Sequence, residues 1–258
     1  MSDWDPEHYG RYADERSRPY GDLVARIRAR HPRRVVDLGC GSGELTASLR
    51  HRWPAAEIVG IDASPAMISK ARTIKGIDDL RFLERDLRSW RPDHDTDVMI
   101  SNAALQWVPE HRDLLPGLVE RLAPDGWLAF QVPGNFGEPS HRLLHELART
   151  EPYATHTAEV LRPSSAGPAD YLADLSALGC AVDAWETTYL HVLTGEDPVF
   201  TWISSTGARP VLQALPEDLR ETFETAYKDR LRAAYPEQAY GTVMPFRRIF
   251  VVAQRTGS

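Results

Sequence analysis

Three glycines separated by single residues, Gly39, Gly41 and Gly43, stand where a short apolar run, Arg34–Leu38, gives way to a helical pattern, Glu44–Arg52. A loop without Cβ at alternate positions turns sharply and lets a ligand reach its peptide groups. Further short runs at 57–61, 80–83, 97–101 and 127–132 are mostly continuous in apolar residues, which predicts strands buried on both faces of a parallel sheet. Helical patterns lie between them, among them 64–74 with Ser64 as N-cap and Pro65 at the first helical position. Strand–helix alternation of this kind predicts an α/β, doubly wound, mostly parallel sheet.

After Val132 the order changes. Helices are expected over 139–150, 169–178, 197–205 and Glu217–Ala234, and β-rich runs return at 182–193 and 248–254. We read one domain over 1–258, with the N-terminal segment 1–30 and helical insertions at about 139–178 and 196–235 forming a cap over a substrate. Acidic residues exceed basic ones, 37 to 30, for a formal net charge of -7 in 258 residues, which argues against general adhesion to nucleic acid or anionic lipid. No apolar run approaches the roughly 20 residues of a membrane span. Cys40 and Cys180 lie far apart and no apolar leader follows Met1, so reduced thiols in a cytoplasm are expected. The histidines and acids show no metal-ligand spacing, and the oligomeric state is left open. Only Lys70, Lys75 and Lys228 among the 30 basic residues are lysines, so the fixed positive charge is mostly arginine, which suits bidentate carboxylate capture.

Polar residues end three successive strands: Asp62, placed to accept both hydroxyls of a ribose; Asp86, whose carboxylate or adjacent backbone can hold an adenine amino group; and Asn102. The dinucleotide alternative wants a small residue three positions after the second glycine, where this chain has Glu44, a carboxylate that would repel pyrophosphate. A ligand without phosphates tolerates Asp37, Glu44 and Asp62, and S-adenosylmethionine is such a ligand.

The segment from Val35 to Glu44, with Asp62, Asp86 and Asn102 at strand ends and Leu122-Ala123-Pro124-Asp125-Gly126 before the fifth strand, resembles the class I S-adenosylmethionine-dependent methyltransferases. That resemblance implies a seven-stranded sheet of order 3-2-1-4-5-7-6 with the last strand antiparallel. It also implies S-adenosylmethionine as cofactor, with Asp37, Gly39, Gly41 and Gly43 at its methionine moiety and Asp62 with Ala63 at ribose. Met67, Asp86 and Leu87 would then surround adenine, with Asn102 and Trp107 nearby. Trp107 reads equally as an aromatic wall for the sulfonium or as core, and Cys40 as a small spacer rather than a nucleophile.

No Asn-Pro-Pro-Tyr motif follows the fourth strand, and no basic, aromatic-interleaved tract marks a nucleic-acid platform, so a small-molecule acceptor is expected. Trp4-Asp5-Pro6, Tyr9, the stretch from Glu15 to Pro19, the stretch from Asn102 to Trp107, the run from Trp185 to His191, Trp202, the stretch from Ser205 to Pro210 and Tyr235-Pro236 are similar to the methyltransferases that act on trans-aconitate. Ser42 and Glu44 depart from that pattern, in a loop whose backbone does the binding. The resemblance implies esterification of one carboxylate of this tricarboxylate. A carboxylate is already anionic at neutral pH, so no general base and no catalytic side chain is required. Arg16 and Arg209 are the leading partners for the remaining carboxylates, ahead of Arg18, Tyr9, Gln106, His191 and Trp202; Arg16 serves equally for the methionine carboxylate. Two alternatives stay open: another small acid as acceptor, and a catalytically silent S-adenosylmethionine-binding protein.

Overall fold

The computed structural model describes residues 13–91, 96–160 and 162–257, with the backbone alone for 13–16. Tyr9 and the side chain of Arg16 therefore lie outside the described residues.

The first half follows the expected alternation. Helix α1 (Ala13–Arg26) precedes β1 (Arg34–Leu38), α2 (Glu44–Arg52), β2 (Glu57–Asp62), α3 (Pro65–Ala71), β3 (Leu80–Glu84) and β4 (Thr96–Asn102). Two 3-10 turns, Leu105–Trp107 and His111–Leu114, lead to α4 (Leu115–Glu120) and β5 (Leu122–Pro133). The second half holds α5 (Pro139–Ala148), α6 (Ala154–Thr157), α7 (Pro168–Ala177), β6 (Cys180–Leu193), α8 (Pro198–Ser204), α9 (Arg209–Ala214), α10 (Glu217–Ala234), β7 (Glu237–Gln238) and β8 (Gly241–Arg255).

The sheet order is β3-β2-β1-β4-β5-β8-β6, with the two-residue β7 paired to β8. Setting β7 aside, this is the expected 3-2-1-4-5-7-6. β1 to β5 pair in parallel. β8 runs against β5: Arg255 donates to the Leu122 carbonyl, Gln254 to that of Asp125 and Arg248 to the Gln131 side chain, so numbers rise on one strand as they fall on the other. It runs against β6 as well, since Thr256 meets Gly179 while Phe250 stacks on Trp185 at 4.9 Å.

The chain divides into two compact units. Unit 1 is Met1–Val132, Ala166–Thr187 and Arg248–Ser258; unit 2 is Pro133–Ser165 and Thr188–Arg247. In unit 1 the parallel strands bury Val36, Leu38, Ile61, Met99 and Phe130, with Leu115, Tyr171 and Leu175 packed on them from α4 and α7. The strands read as continuous apolar runs because both faces are covered. In unit 2, α10 packs on α5, where the Tyr227 hydroxyl donates to the Ser140 carbonyl at 2.5 Å and Tyr235 Oη accepts from Ser140 N–H, and fully buried Phe223 meets Tyr153 edge-on at 4.9 Å.

Several elements differ from expectation. Leu122 to Gly126 belongs to β5 itself: Leu122 already pairs with Thr96, and the register then shifts through Asp125 at φ 61° before Trp127 meets Val98. α3, expected to run to Ile74, stops at Ala71. Ser64 does cap α3, accepting from Met67 N–H.

Candidate cofactor and substrate site

The strand order reverses between β1 and β4, which opens a crevice at their carboxyl ends. The loop after β1 occupies it. Gly39 and Cys40 N–H both donate to the Ile61 carbonyl, at 2.8 and 2.9 Å, and Gly41 N–H donates to Asp62 Oδ2 at 2.9 Å. The other Asp62 oxygen accepts from Ser64 N–H at 2.8 Å. Asp62 therefore fixes the loop after β1 and the start of α3 together, and a carboxylate's roughly four acceptor sites leave room beyond these backbone bonds for an incoming donor. Burial pushes its pKa up, and the Ser64, Gly41 and Ala63 backbone groups pull it back.

Gly39 holds φ at 80°, and a Cβ there would stand 2.2 Å from Ala104 Cβ, so the loops after β1 and β4 touch only because this side chain is absent. Gly41, at φ 55°, faces open space. Beneath the loop, Asp37 is 2 % exposed; Thr46 Oγ1 donates to its Oδ2 at 2.6 Å, and Oδ1 has no partner. Burial first, and Asp62 to a smaller degree, raise its pKa to about 7 against the Thr46 hydrogen bond. Tyr20 of α1 is buried beside Asp37 and Cys40 with its hydroxyl unpartnered. Burial and the two aspartates push the Cys40 thiol up, so the spacer reading suits it and a thiolate does not.

At the end of β4, Ser101 Oγ donates to the Leu38 carbonyl and Asn102 Oδ1 accepts from Gln131 Nε2 at 2.6 Å. Ala103 takes a left-handed φ of 53°, and Gln106 is 6 % exposed, its Nε2 donating to the Ala103 carbonyl and its Oε1 buried without a partner. Trp107 is half-buried in the following 3-10 turn. Met67 is buried, and Leu87 packs on the core of unit 1. The Asp86 carboxylate is clamped by Arg88, which holds its pKa down, so the backbone beside it is what remains for a ligand.

The structure thus gathers Asp37, the three glycines, Asp62, Ala63 and Ser64 into one cradle with an orphaned acceptor at Asp37. An adenosine carrying a cationic amino-acid arm fits these residues: Asp62 as an acceptor for ribose hydroxyls, the open side-chain-free position at Gly41 for the arm, and the buried Asp37 carboxylate for an ammonium or sulfonium.

Unit 2 carries the other candidates. His191 stacks on Trp202 at 4.7 Å between ring centres, with Phe246 at 5.9 Å from His191, and both candidates are buried in that aromatic cluster. Arg209 is half-buried at the first position of α9. Residues missed at the sequence level are Tyr20, Thr46, Gln131 and Arg248; Thr46 was legible, lying on the inner face of α2 nine residues after Asp37. In unit 2, Asn135 was also missed: it is fully buried with both amide atoms unpartnered. Among the described residues no group of His, Cys, Asp or Glu converges as a metal site, and no helix is long and apolar enough to cross a membrane.

Comparison with known proteins places this geometry. Residues 12–165 match the family model described as a methyltransferase domain. A trans-aconitate 2-methyltransferase of Streptomyces coelicolor is 51% identical over 98% of this chain and 86% of its own length, and one of Rhodococcus jostii is 50% identical over 97% and 99%. Solved structures share the fold at lower identity: the YcgJ protein of Bacillus subtilis has a TM-score of 0.62 at 18% identity, covering 94% of this chain and 100% of that one. The cyclopropane synthase MmaA2 of Mycobacterium tuberculosis has 0.58 at 12%, covering 98% and 90%. The chain belongs to the methyltransferase-domain proteins and, within them, to the trans-aconitate 2-methyltransferase family.

Proposed function

We propose that the chain transfers the methyl group of S-adenosylmethionine to one carboxylate oxygen of trans-aconitate, leaving a monomethyl ester and S-adenosylhomocysteine. The observation that carries this reading is the half-identity, over almost the whole length, to enzymes named for that reaction. The cradle around Gly39 to Gly43 is chemically matched to the donor.

When bound, S-adenosylmethionine supplies an electrophilic methyl group on sulfur. The chain's own residues position and desolvate. In this reading Asp62 holds ribose, the Gly39 to Gly43 backbone and Asn102 hold the amino-acid arm, and Met67 with the backbone at Asp86 and Leu87 holds adenine. Trp107 lies against the sulfonium side. Arg209 and Arg16 take the two carboxylates that are not methylated, with Tyr9, Gln106, His191 and Trp202 shaping the remainder. The attacking oxygen arrives ionised, so the task is to hold it in line at about 3 to 3.5 Å, where orientation alone supplies several kcal/mol. Cancelling opposite charges favours a dry site.

Incubating the chain with methyl-labelled S-adenosylmethionine and a panel of acids tests the assignment. Label is expected in an ester of trans-aconitate; label only in esters of other acids reassigns the acceptor, and donor binding without any ester leaves a silent binding protein. Arg209→Gln is expected to raise KM for the acid by about tenfold, from loss of a bidentate charge-assisted pair, with little change in donor affinity. A variant that loses donor affinity instead moves Arg209 to the cofactor.

Asp37 gives a pH prediction. Its folded-state pKa lies above the unfolded value, so its contribution to stability is present below about pH 4 and lost as pH rises through about 7. A cationic donor favours the ionised form. The affinity advantage of wild type over Asp37→Asn, measured calorimetrically with S-adenosylmethionine, should therefore grow as pH is raised from about 5.5 to about 8. A ratio that is constant over that span removes Asp37 from the donor's surroundings.

A further inference from the structure

We infer that Arg248 and Gln131 are positioning residues that set which way the Asn102 amide faces, so that the carboxyl end of β4 presents an N–H donor to a ligand carboxylate. The inference rests on the methyltransferase reading above.

Its basis is a polarity relay within unit 1. Arg248 is 5 % exposed and Gln131 1 % exposed, Gln131 between Phe130 and Val132 on β5 and Arg248 before Ile249 on β8. A guanidinium can only donate. Arg248 Nη1 reaches Gln131 Oε1 at 3.3 Å, which commits the oxygen of that amide to β8 and leaves Nε2 pointing the other way. Nε2 then donates to Asn102 Oδ1 at 2.6 Å, across the register pair that joins β4 and β5. With its oxygen turned to Gln131, Asn102 directs its Nδ2–H the other way. Turning either amide would set donor against donor in a buried chain, so the fixed charge at Arg248 dictates the polarity two side chains away. Ala103, left-handed at φ 53° immediately after Asn102, ends the strand there.

A carboxylate is the group such a donor recognises, and two bound molecules carry one: the amino-acid arm of the cofactor and the acid. Gln131→Glu separates relay from bulk. Glutamate has the same size and still accepts from Arg248, but it cannot donate, so Asn102 must turn and present oxygen. We expect about tenfold weaker calorimetric affinity for S-adenosylhomocysteine if the cofactor arm is held, or about tenfold higher KM for trans-aconitate at unchanged S-adenosylhomocysteine affinity if the acid is held. Asn102→Asp, which also removes the donor, should reproduce the same loss without altering Gln131, and Arg248→Lys, still a donor, should stay within about threefold of wild type. In an Asn102→Ala background Gln131→Glu should have no further effect. The relay is overturned if wild type binds S-adenosylhomocysteine while Gln131→Glu and Asn102→Asp bind both molecules as wild type does, or if Gln131→Glu costs as much with Asn102 absent. Failure of wild type to bind S-adenosylhomocysteine would instead overturn the methyltransferase reading, and the relay with it.

Discussion

Replacing Gly39 with alanine should destabilise the chain by roughly 2 to 4 kcal/mol, whereas alanine at Gly41 should cost only about 1 kcal/mol of stability yet weaken donor binding at least about tenfold. The two glycines are neighbours in one loop but serve different ends. At Gly39 a Cβ meets the left-handed penalty and also Ala104 Cβ at 2.2 Å, so either the loop after β1 or the one after β4 must move. At Gly41 the φ of 55° carries the same backbone penalty, but the Cβ enters open space. That space is where the proposed amino-acid arm approaches the backbone, and a methyl group there keeps it away. Urea unfolding and calorimetry on both variants separate the effects. Equal stability losses would show that Ala104 yields easily, and normal binding by Gly41→Ala would move the ligand off the loop.

Asp62→Ala should lower donor affinity by about 2 to 4 kcal/mol, more than a ribose contact alone accounts for. The carboxylate accepts from Gly41 and Ser64 N–H, so its removal takes away the ribose acceptor and also loosens the loop and the start of α3 that shape the cradle. Asp62→Asn retains one oxygen and should lose less, because its amide keeps one of the two backbone bonds while setting an N–H against the other donor. Calorimetry with S-adenosylmethionine decides: an ordering in which Asn is as damaging as Ala assigns the effect to charge, and wild-type affinity in Asp62→Ala removes the ribose assignment.

Most of the sheet was legible because buried parallel strands leave continuous apolar runs, and β1 and α2 begin and end where the pattern changes. The carboxylates were legible for the same reason: Asp62 stands out at the end of such a run. The Leu122 to Gly126 segment is expected before the fifth strand, because the apolar run begins at Trp127, yet Leu122 and Ala123 are buried and Leu122 pairs with Thr96 ahead of the register shift. The relay was invisible for a different reason. Gln131 and Arg248 lie on strands over a hundred residues apart, and only the antiparallel pairing of β8 with β5 brings them together. Composition carries no trace of such a pairing.

The steady rate of labelled ester formation from trans-aconitate, measured with donor and acid both saturating from about pH 6 to about pH 9, bears most directly on the claim that the chain aims a methyl group at an oxygen needing no deprotonation. A measurable rate that stays level across that range is the predicted result. No ester, or a rate rising about tenfold per pH unit as a required base ionises, would contradict it.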